Sequence, residues 1–142
     1  MKRYPTQNRV SAVPALGRVM IAIIFLFSGI GKVIDPGHAI EEIRAVGLPF
    51  AHLGLAIAIG LGLGGGAMLV LGIKTRMVAI VLAVYCVVAG LIFHNPTGGI
   101  QQLVHLLKNF AMAGGLLQVA AFGAGSYAFD NMRPERKTAH RA

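Results

Sequence analysis

Four long runs of apolar residues, separated by short polar links, dominate the sequence and limit what the chain can fold into. They cover approximately residues 12–31, 53–73, 77–93 and 103–122. Each run is close to the roughly 20 residues that an α-helix needs to cross the apolar core of a bilayer. Because backbone groups inside a bilayer must be paired within the segment, these runs are expected to be helices. The sequence therefore predicts an all-α fold, a four-helix transmembrane bundle in contact with the lipid bilayer.

The composition supports a membrane protein and argues against a soluble one. Charged residues make up only 13% of the 142-residue chain, whereas soluble domains carry about 25%. The net charge of +8 does not indicate a nucleic-acid partner, because the basic residues form short clusters without an interleaved aromatic face. The single cysteine, Cys86, excludes an intrachain disulfide and a thiol–disulfide relay within the chain.

Lysine and arginine residues are unequally distributed between the two sides of the predicted bundle. One side has both termini and the link between the second and third runs, with ten such residues: Lys2, Arg3, Arg9, Arg18, Lys74, Arg76, Arg133, Arg136, Lys137 and Arg141. The other side has three: Lys32, Arg44 and Lys108. The positive-inside rule then places both termini in the cytoplasm of a bacterial inner membrane. We expect Arg18, near the start of the first run, to reach the interface by snorkelling.

The polar links predict two further features. Asp35 and Pro36 are a typical helix N-cap and first helical residue, and they predict a short amphipathic helix over residues 37–46 at the outer interface. The polar and basic residues 131–142 predict a cytoplasmic tail that follows a membrane domain of residues 1–130.

The second run is rich in glycine, and its small residues recur at helical spacing. Ala56, Gly60 and Gly64 share one helix face, and Gly62 with Gly66 repeats the spacing beside it. Small residues at this period let helix backbones approach closely in lipid. The pattern predicts helix packing through Ala56, Gly60 and Gly64, within the chain in preference to between copies of a homo-oligomer.

Five polar residues are predicted to converge at the outer ends of three helices. They are Lys32, His94, His105, Lys108 and Asn109. Three interpretations remain open. The residues can simply end helices at the interface. They can form a small-molecule site, in which lysine and neutral histidine bind an anion or the carbonyl groups of a quinone. Finally, His94 and His105 can ligate a metal or haem, although no H-x-x-E-H or H-E-x-x-H spacing is present and no metal site is predicted.

Several segments resemble the DoxX family of small four-helix bacterial membrane proteins. They are SGIGKVIDP at 28–36, preceded by Arg18, VGLP at 46–49, GGAMLVLGIKTR at 65–76, AGLIFHN at 89–95 and LKNFAMAGGLLQVAAFGAGSYAFD at 107–130. The resemblance covers nearly the whole chain through the order and spacing of these segments. One departure is notable: many members of the family carry a glutamate about ten residues before the position of Gly72, where this chain has Gly62.

The resemblance implies a membrane location and, more loosely, a link to redox chemistry. Similar proteins are membrane subunits associated with thiosulfate:quinone oxidoreductase, or are linked to superoxide dismutase complexes or to quinone and catechol resistance. The expectation is a membrane subunit without independent enzymatic activity that anchors a soluble or membrane oxidoreductase partner and binds quinone near the outer leaflet. It would hold no other cofactor, since no ligand set for one is evident. The alternative is a non-catalytic membrane protein for assembly or envelope stress tolerance.

Overall fold

A computed structural model describes residues 12–132 and contains four helices that are long and apolar enough to cross a membrane. These spans are Val13–Ile34, Ala51–Leu71, Thr75–Phe93 and Ile100–Phe122. They confirm the prediction of an all-helical protein with four spans, and no strand occurs in the described part of the chain. The first span continues to Ile34 because Pro36 disfavours a helical conformation only for the residue before it, Asp35.

The spans and the shorter helices are labelled in chain order. They are α1 (Val13–Ile34), α2 (Pro36–Ala45), α3 (Ala51–Ile59), α4 (Gly66–Leu71), α5 (Thr75–Phe93), α6 (Ile100–Phe122) and α7 (Phe129–Met132). A π-helical segment, Gly60–Gly65, joins α3 to α4, so these three elements together form the second span.

Two antiparallel pairs of spans build the bundle. The first pair is α1 with the second span, and the second pair is α5 with α6. Their shared core consists of buried apolar side chains from all four spans: Ala22, Phe25, Leu69, Ala79, Leu82, Ala83, Cys86, Ala113 and Leu116. Many other large apolar side chains of the spans face outward, as expected for surfaces covered by lipid.

The predicted helix between the first and second spans is present as α2. It begins at an N-cap in which Asp35 Oδ1 accepts a hydrogen bond of 3.1 Å from the His38 amide. Its buried residues Ala39 and Ile43 pack against Ala51 and Leu55 of α3. This contact fixes α2 to the second span, while its location in the membrane interface stays a prediction.

The packing face of the second span differs from the prediction. Ala56, Gly60 and Gly64 are exposed, and a Cβ atom at Gly60 or Gly64 would meet nothing within 4 Å beyond its own helix backbone and neighbours. A Cβ at Gly62 would instead lie 3.0 Å from the Phe25 carbonyl oxygen and 3.1 Å from Gly29 Cα. The prediction of intrachain packing through Ala56, Gly60 and Gly64 is therefore wrong. Association of copies through this face stays a prediction.

The reason lies in the local helix type. Residues Gly60–Gly65 form a π-helix, whose wider turn changes the angular spacing that an α-helix would give. Gly62 and Gly66 therefore face α1, and a Cβ at Gly66 would lie 2.9 Å from Leu26 Cγ. The second span does pack through glycines, but through Gly62 and Gly66.

Candidate functional site

The first candidate site lies where α5 ends and α6 begins, and we call it the histidine end after His94 and His105. A tight turn joins the two helices, because Asn95 Oδ1 accepts hydrogen bonds from the Thr97 amide at 2.9 Å and the Thr97 hydroxyl at 2.7 Å. Gly99 then adopts a φ of 103°, a conformation that favours glycine, immediately before α6. This turn brings two predicted site residues from different helices together.

The two histidine rings stack on each other. Their centroids are 5.2 Å apart and their planes are inclined by 22°. His94 is half-buried and its Nδ1 lies 3.2 Å from Gln102 Oε1, whereas His105 is exposed. An amide oxygen can only accept, so this contact requires the proton of His94 on Nδ1. In a neutral ring, Nε2 of His94 is then a hydrogen-bond acceptor.

Asn109 lies one turn further along α6 and also faces the contact between α5 and α6. Its side-chain amide donates to the His105 carbonyl oxygen at 3.1 Å. A Cβ at Gly90 would lie 3.0 Å from Asn109 Cβ, so the absence of a side chain at Gly90 lets α5 and α6 meet here. His94, His105 and Asn109 are thus gathered along one helix pair, with Gln102 as a participant that the sequence analysis did not single out.

The two lysines of the predicted site are placed differently. Lys32 Nζ donates to Ser28 Oγ at 2.8 Å, one turn earlier on α1. Lys108 is exposed, one turn after His105 on α6. Within residues 12–132 no hydrogen bond or ring contact joins either lysine to the histidine pair. The structure therefore brings three of the five predicted residues together and leaves both lysines outside their contacts.

Arg18 defines the opposite end of the bundle, the basic end, together with Lys74 and Arg76. Only 2% of Arg18 is exposed. Its Nη1 donates to the Ala124 carbonyl at 2.6 Å and its Nη2 to the Tyr127 carbonyl at 2.7 Å, with a longer bond to Val70. The snorkelling prediction for Arg18 is therefore wrong. Backbone carbonyls that follow α6 have no helical partners, and the guanidinium supplies their donors in place of water.

Asp130 holds the same segment from the other direction. Its carboxylate accepts hydrogen bonds of 2.8 Å from the amides of Lys74 and Thr75, where α5 begins, and its own amide donates to the Gly72 carbonyl. The hydrogen bond from the Thr75 amide is the largest influence and lowers the pKa of Asp130 below its ordinary value of 3.8. Residues 123–132, here called the clasp segment, are thus fixed across the basic end by two charged side chains.

The clasp segment also changes the view of the predicted tail. Asn131 and Met132 belong to α7, and the Asn131 side chain donates to the Gly125 carbonyl. Residues 133–142 lie outside the described part of the chain. The sequence analysis missed this segment, although two signals could have indicated it: an arginine inside an apolar run, and an aspartate at the same end of the predicted bundle.

A cavity of about 670 Å³ lies between the clasp segment and the start of α5. Its polar lining includes Lys74, Thr75, Arg76, Ser126, Asp130 and Asn131. A smaller apolar groove of about 300 Å³ runs past Gly60 and Gly64 toward Met77. None of the five predicted site residues lines either space. Within residues 12–132 there is no group of three or more His, Cys, Asp or Glu side chains able to hold a metal ion.

Fold and site define a small polytopic helical membrane protein with polar side chains gathered at both ends of an apolar bundle. The model of the DoxX family matches residues 13–95, and the chain belongs to this family.

The chain is also similar to two proteins of Escherichia coli (strain K12). It is 30% identical to "Inner membrane protein YqjF" over 118 residues, covering 82% of this chain and 88% of the relative. It is 25% identical to "Inner membrane protein YphA" over 120 residues, covering 81% and 86%. No solved structure matches significantly.

The family departure at Gly62 now has a structural description. A Cβ at this position would press on the backbone of α1, so a glutamate would require the two helices to separate.

Proposed function

We propose that the chain is an inner-membrane subunit of a quinone-linked redox complex, which anchors an oxidoreductase partner and binds a quinone headgroup at the histidine end. The stacked pair of His94 and His105 is the observation that carries this proposal. Two stacked imidazoles at the end of an apolar bundle offer both an aromatic face and hydrogen-bonding nitrogens to a flat ring with two oxygens.

The two rings have complementary roles in this proposal. His94, protonated on Nδ1 toward Gln102, presents Nε2 as an acceptor and so suits the hydroxyl of a quinol. His105 is exposed and can donate to the carbonyl of a quinone. Lys108, exposed one turn along α6, donates a hydrogen bond to the other carbonyl of the quinone, and its charge stabilises the anion formed when a partner reduces the ring. The chain would bind and orient the quinone, and the partner would supply the electrons.

Ligand binding by the purified protein tests this proposal. In detergent or nanodiscs, a short-chain ubiquinone or menaquinone analogue should bind saturably in its oxidised and reduced forms. Loss of a hydrogen bond to a charged donor costs about 1.5–3 kcal/mol, so Lys108→Met should weaken binding roughly tenfold or more. His105→Ala should weaken it as well, whereas Arg44→Met, on the exposed face of α2, is the matched control. Absence of saturable binding, or equal binding by all variants, would reject the quinone site.

The proposal places the histidine end at the outer face of the membrane and the basic end in the cytoplasm. The ten-to-three distribution of Lys and Arg supports this orientation. The names of the two relatives support the inner membrane as the location. Single cysteines replacing Thr97 and Met132, each in a Cys86→Ser background, should differ in spheroplasts. Thr97→Cys should react with an impermeant thiol reagent and Met132→Cys should not, while the reverse pattern would invert the orientation.

A non-catalytic role in assembly or envelope stress tolerance is the second candidate. It is favoured by the position of the large cavity, which lies at the basic end and away from the histidine pair. Affinity purification in mild detergent separates the two functions. Recovery of a stoichiometric oxidoreductase supports the redox subunit, and purification without one, combined with no quinone binding, supports the non-catalytic role.

A further inference from the structure

The cavity at the basic end contains two cationic side chains that the clasp does not use. Lys74 and Arg76 both line it, and within residues 12–132 neither side chain forms an ion pair or a hydrogen bond. Arg76 reaches toward the clasp segment, since its Nε and Nη2 lie 3.5 Å from where a Cβ at Gly123 would stand. Two unpaired cations on one concave surface attract an anion more strongly than either would alone.

The carboxylate in the same cavity offsets only part of this charge, because Asp130 is one anion beside two cations. Its two oxygens accept hydrogen bonds from the amides of Lys74 and Thr75 and so face the start of α5. Lys74 itself has a φ of 46°, a conformation that is uncommon for residues other than glycine. Asp130 stabilises that turn through the backbone, which leaves the Lys74 ammonium group available to a ligand.

Neutral polar groups complete the same surface. Ser126 is exposed and lines the cavity together with Thr75. The Thr75 side chain is fully buried beside the Asp130 carboxylate. The space is an open recess of about 670 Å³ and is large enough for a phosphate together with the group that carries it.

The apolar part of the lining indicates what carries the phosphate. Met77 and Phe122 border the cavity and are 65% and 82% exposed on the outer surface of the bundle. Both lie at ends of spans, where an acyl chain would leave a headgroup and enter the bilayer. A free phosphate ion would leave these two side chains without a partner.

We propose that this cavity binds a phosphate group, and specifically the headgroup of an anionic phospholipid. Lys74 and Arg76 pair with the phosphate, and Met77 and Phe122 contact the first carbons of the acyl chains. The bound lipid would contact both the start of α5 and the clasp segment, and would add to the connection that Asp130 already makes between them. This site is independent of the quinone proposal, because the two sites lie at opposite ends of the bundle.

Native mass spectrometry of the full chain in mild detergent is the first measurement. The protein should retain one phosphatidylglycerol per chain after exhaustive detergent washing. Titration of the delipidated protein should raise its unfolding temperature with phosphatidylglycerol, and neither phosphatidylcholine nor inorganic phosphate should match this shift. Stabilisation by inorganic phosphate without retained lipid would assign the cavity to a soluble phosphate and overturn the lipid.

Variants then locate the binding. Lys74→Asn keeps a residue that tolerates the left-handed conformation, and it is combined with Arg76→Gln. Each cation near a membrane surface contributes about fivefold in affinity, so the double variant should bind phosphatidylglycerol roughly 25-fold more weakly. Arg76→Lys should keep most of the affinity. Arg44→Gln, an exposed arginine on α2, should have no effect.

Two results would overturn the site. Equal lipid retention by the double variant would remove Lys74 and Arg76 from it. An equal loss of retention in Arg44→Gln would show a general attraction of basic side chains for anionic lipid. Circular dichroism and thermal unfolding without lipid confirm that each variant is folded, so loss of binding is separated from loss of structure.

Discussion

The basic end and the histidine end both gather polar side chains around an apolar bundle, but they use them differently. At the basic end, the charged groups of Arg18 and Asp130 are bonded to backbone carbonyls and amides of distant segments. At the histidine end, the hydrogen bonds join residues that are close together along the chain, and ring nitrogens of His94 and His105 remain available. The bonds of Arg18 and Asp130 hold distant parts of the chain together, whereas the ring nitrogens at the histidine end are left accessible.

This comparison shows that polar residues in a membrane sequence are of two kinds. Some have side chains bonded to the protein backbone and serve the structure, and others have side chains that stay accessible to another molecule. Arg18 is the more unusual by position, since it lies inside an apolar run, yet its two terminal nitrogens donate to the clasp segment. Lys108 is ordinary by position, at an exposed site near a helix end, and its charge is accessible. Burial and bonding therefore decide which residues can act on another molecule.

The largest expected effect is at Arg18. Arg18→Met leaves the buried Ala124 carbonyl and the partly buried Tyr127 carbonyl without donors. Each unsatisfied buried group costs about 1–3 kcal/mol, so the free energy of unfolding should fall by roughly 3 kcal/mol. Unfolding in mixed micelles of increasing SDS content measures this change. Arg44→Met is the control and should lie within about 0.5 kcal/mol of the parent. Similar values for the two variants would remove the distinction between the ends.

A second test lies between the two ends, at the contact of α1 with the second span. Gly62→Leu places a side chain against the backbone of Phe25 and Gly29 and should destabilise the fold by about 1–3 kcal/mol. Gly60→Leu adds the same atoms on the open face and should change stability by about 0.5 kcal/mol or less. If Gly60→Leu were the more destabilising of the two, the face that the sequence predicted, Ala56, Gly60 and Gly64, would be the packing face. Crosslinking of the parent and Gly60→Leu also tests whether the open face associates copies.

A smaller and pH-dependent effect is expected at Asp130. Asp130→Asn weakens the bonds to the start of α5 and should cost about 1 kcal/mol at neutral pH, as for loss of a helix cap. Because the folded pKa of Asp130 is lowered, its contribution is complete above the ordinary value of 3.8 and is lost as the pH falls through the lowered pKa. The parent should therefore lose more stability than Asp130→Asn on acidification. Parallel pH profiles would contradict this role.

The smallest effect on stability is expected at the histidine end. His105 is exposed and its side chain contacts His94 by stacking, so His105→Ala should change the free energy of unfolding by about 0.5 kcal/mol or less. The same variant should nevertheless weaken binding of a quinone analogue. A loss of stability as large as that of Arg18→Met would make the histidine pair a structural element, and both ends would then serve the same purpose.

Much of the fold could be predicted because lipid imposes strong rules on long apolar segments. Run length gave the four spans to within a few residues, and Asp35 with Pro36 marked the start of α2. The packing face of the second span could not be predicted, because the π-helical turns around Gly62 change which residues face α1. The clasp was missed because hydrogen bonds from Arg18 to residues more than a hundred positions away leave no periodic pattern.

The candidate site was predictable in part for a similar reason. The turn at residues 94–99 is short, so the end of α5 and the start of α6 must lie close together. The approach of His94 to His105 follows from this. The placement of Lys32 relative to α6 depends on how the two pairs of spans pack, which residue spacing does not specify. Gln102 escaped notice because a single glutamine early in a helix has no distinguishing pattern.

The contact between Gly62 and Gly29 also sets how the two membrane faces can communicate. Backbone meets backbone there, and the surrounding core in the described chain is made of Ala, Leu, Phe and Cys side chains without a titratable carboxylate or histidine. Within the described residues, the core between the two ends therefore offers no chain of titratable carboxylates or histidines along which a proton could pass. A ligand bound at one end, as proposed above, would affect the other end only through movement of the packed helices.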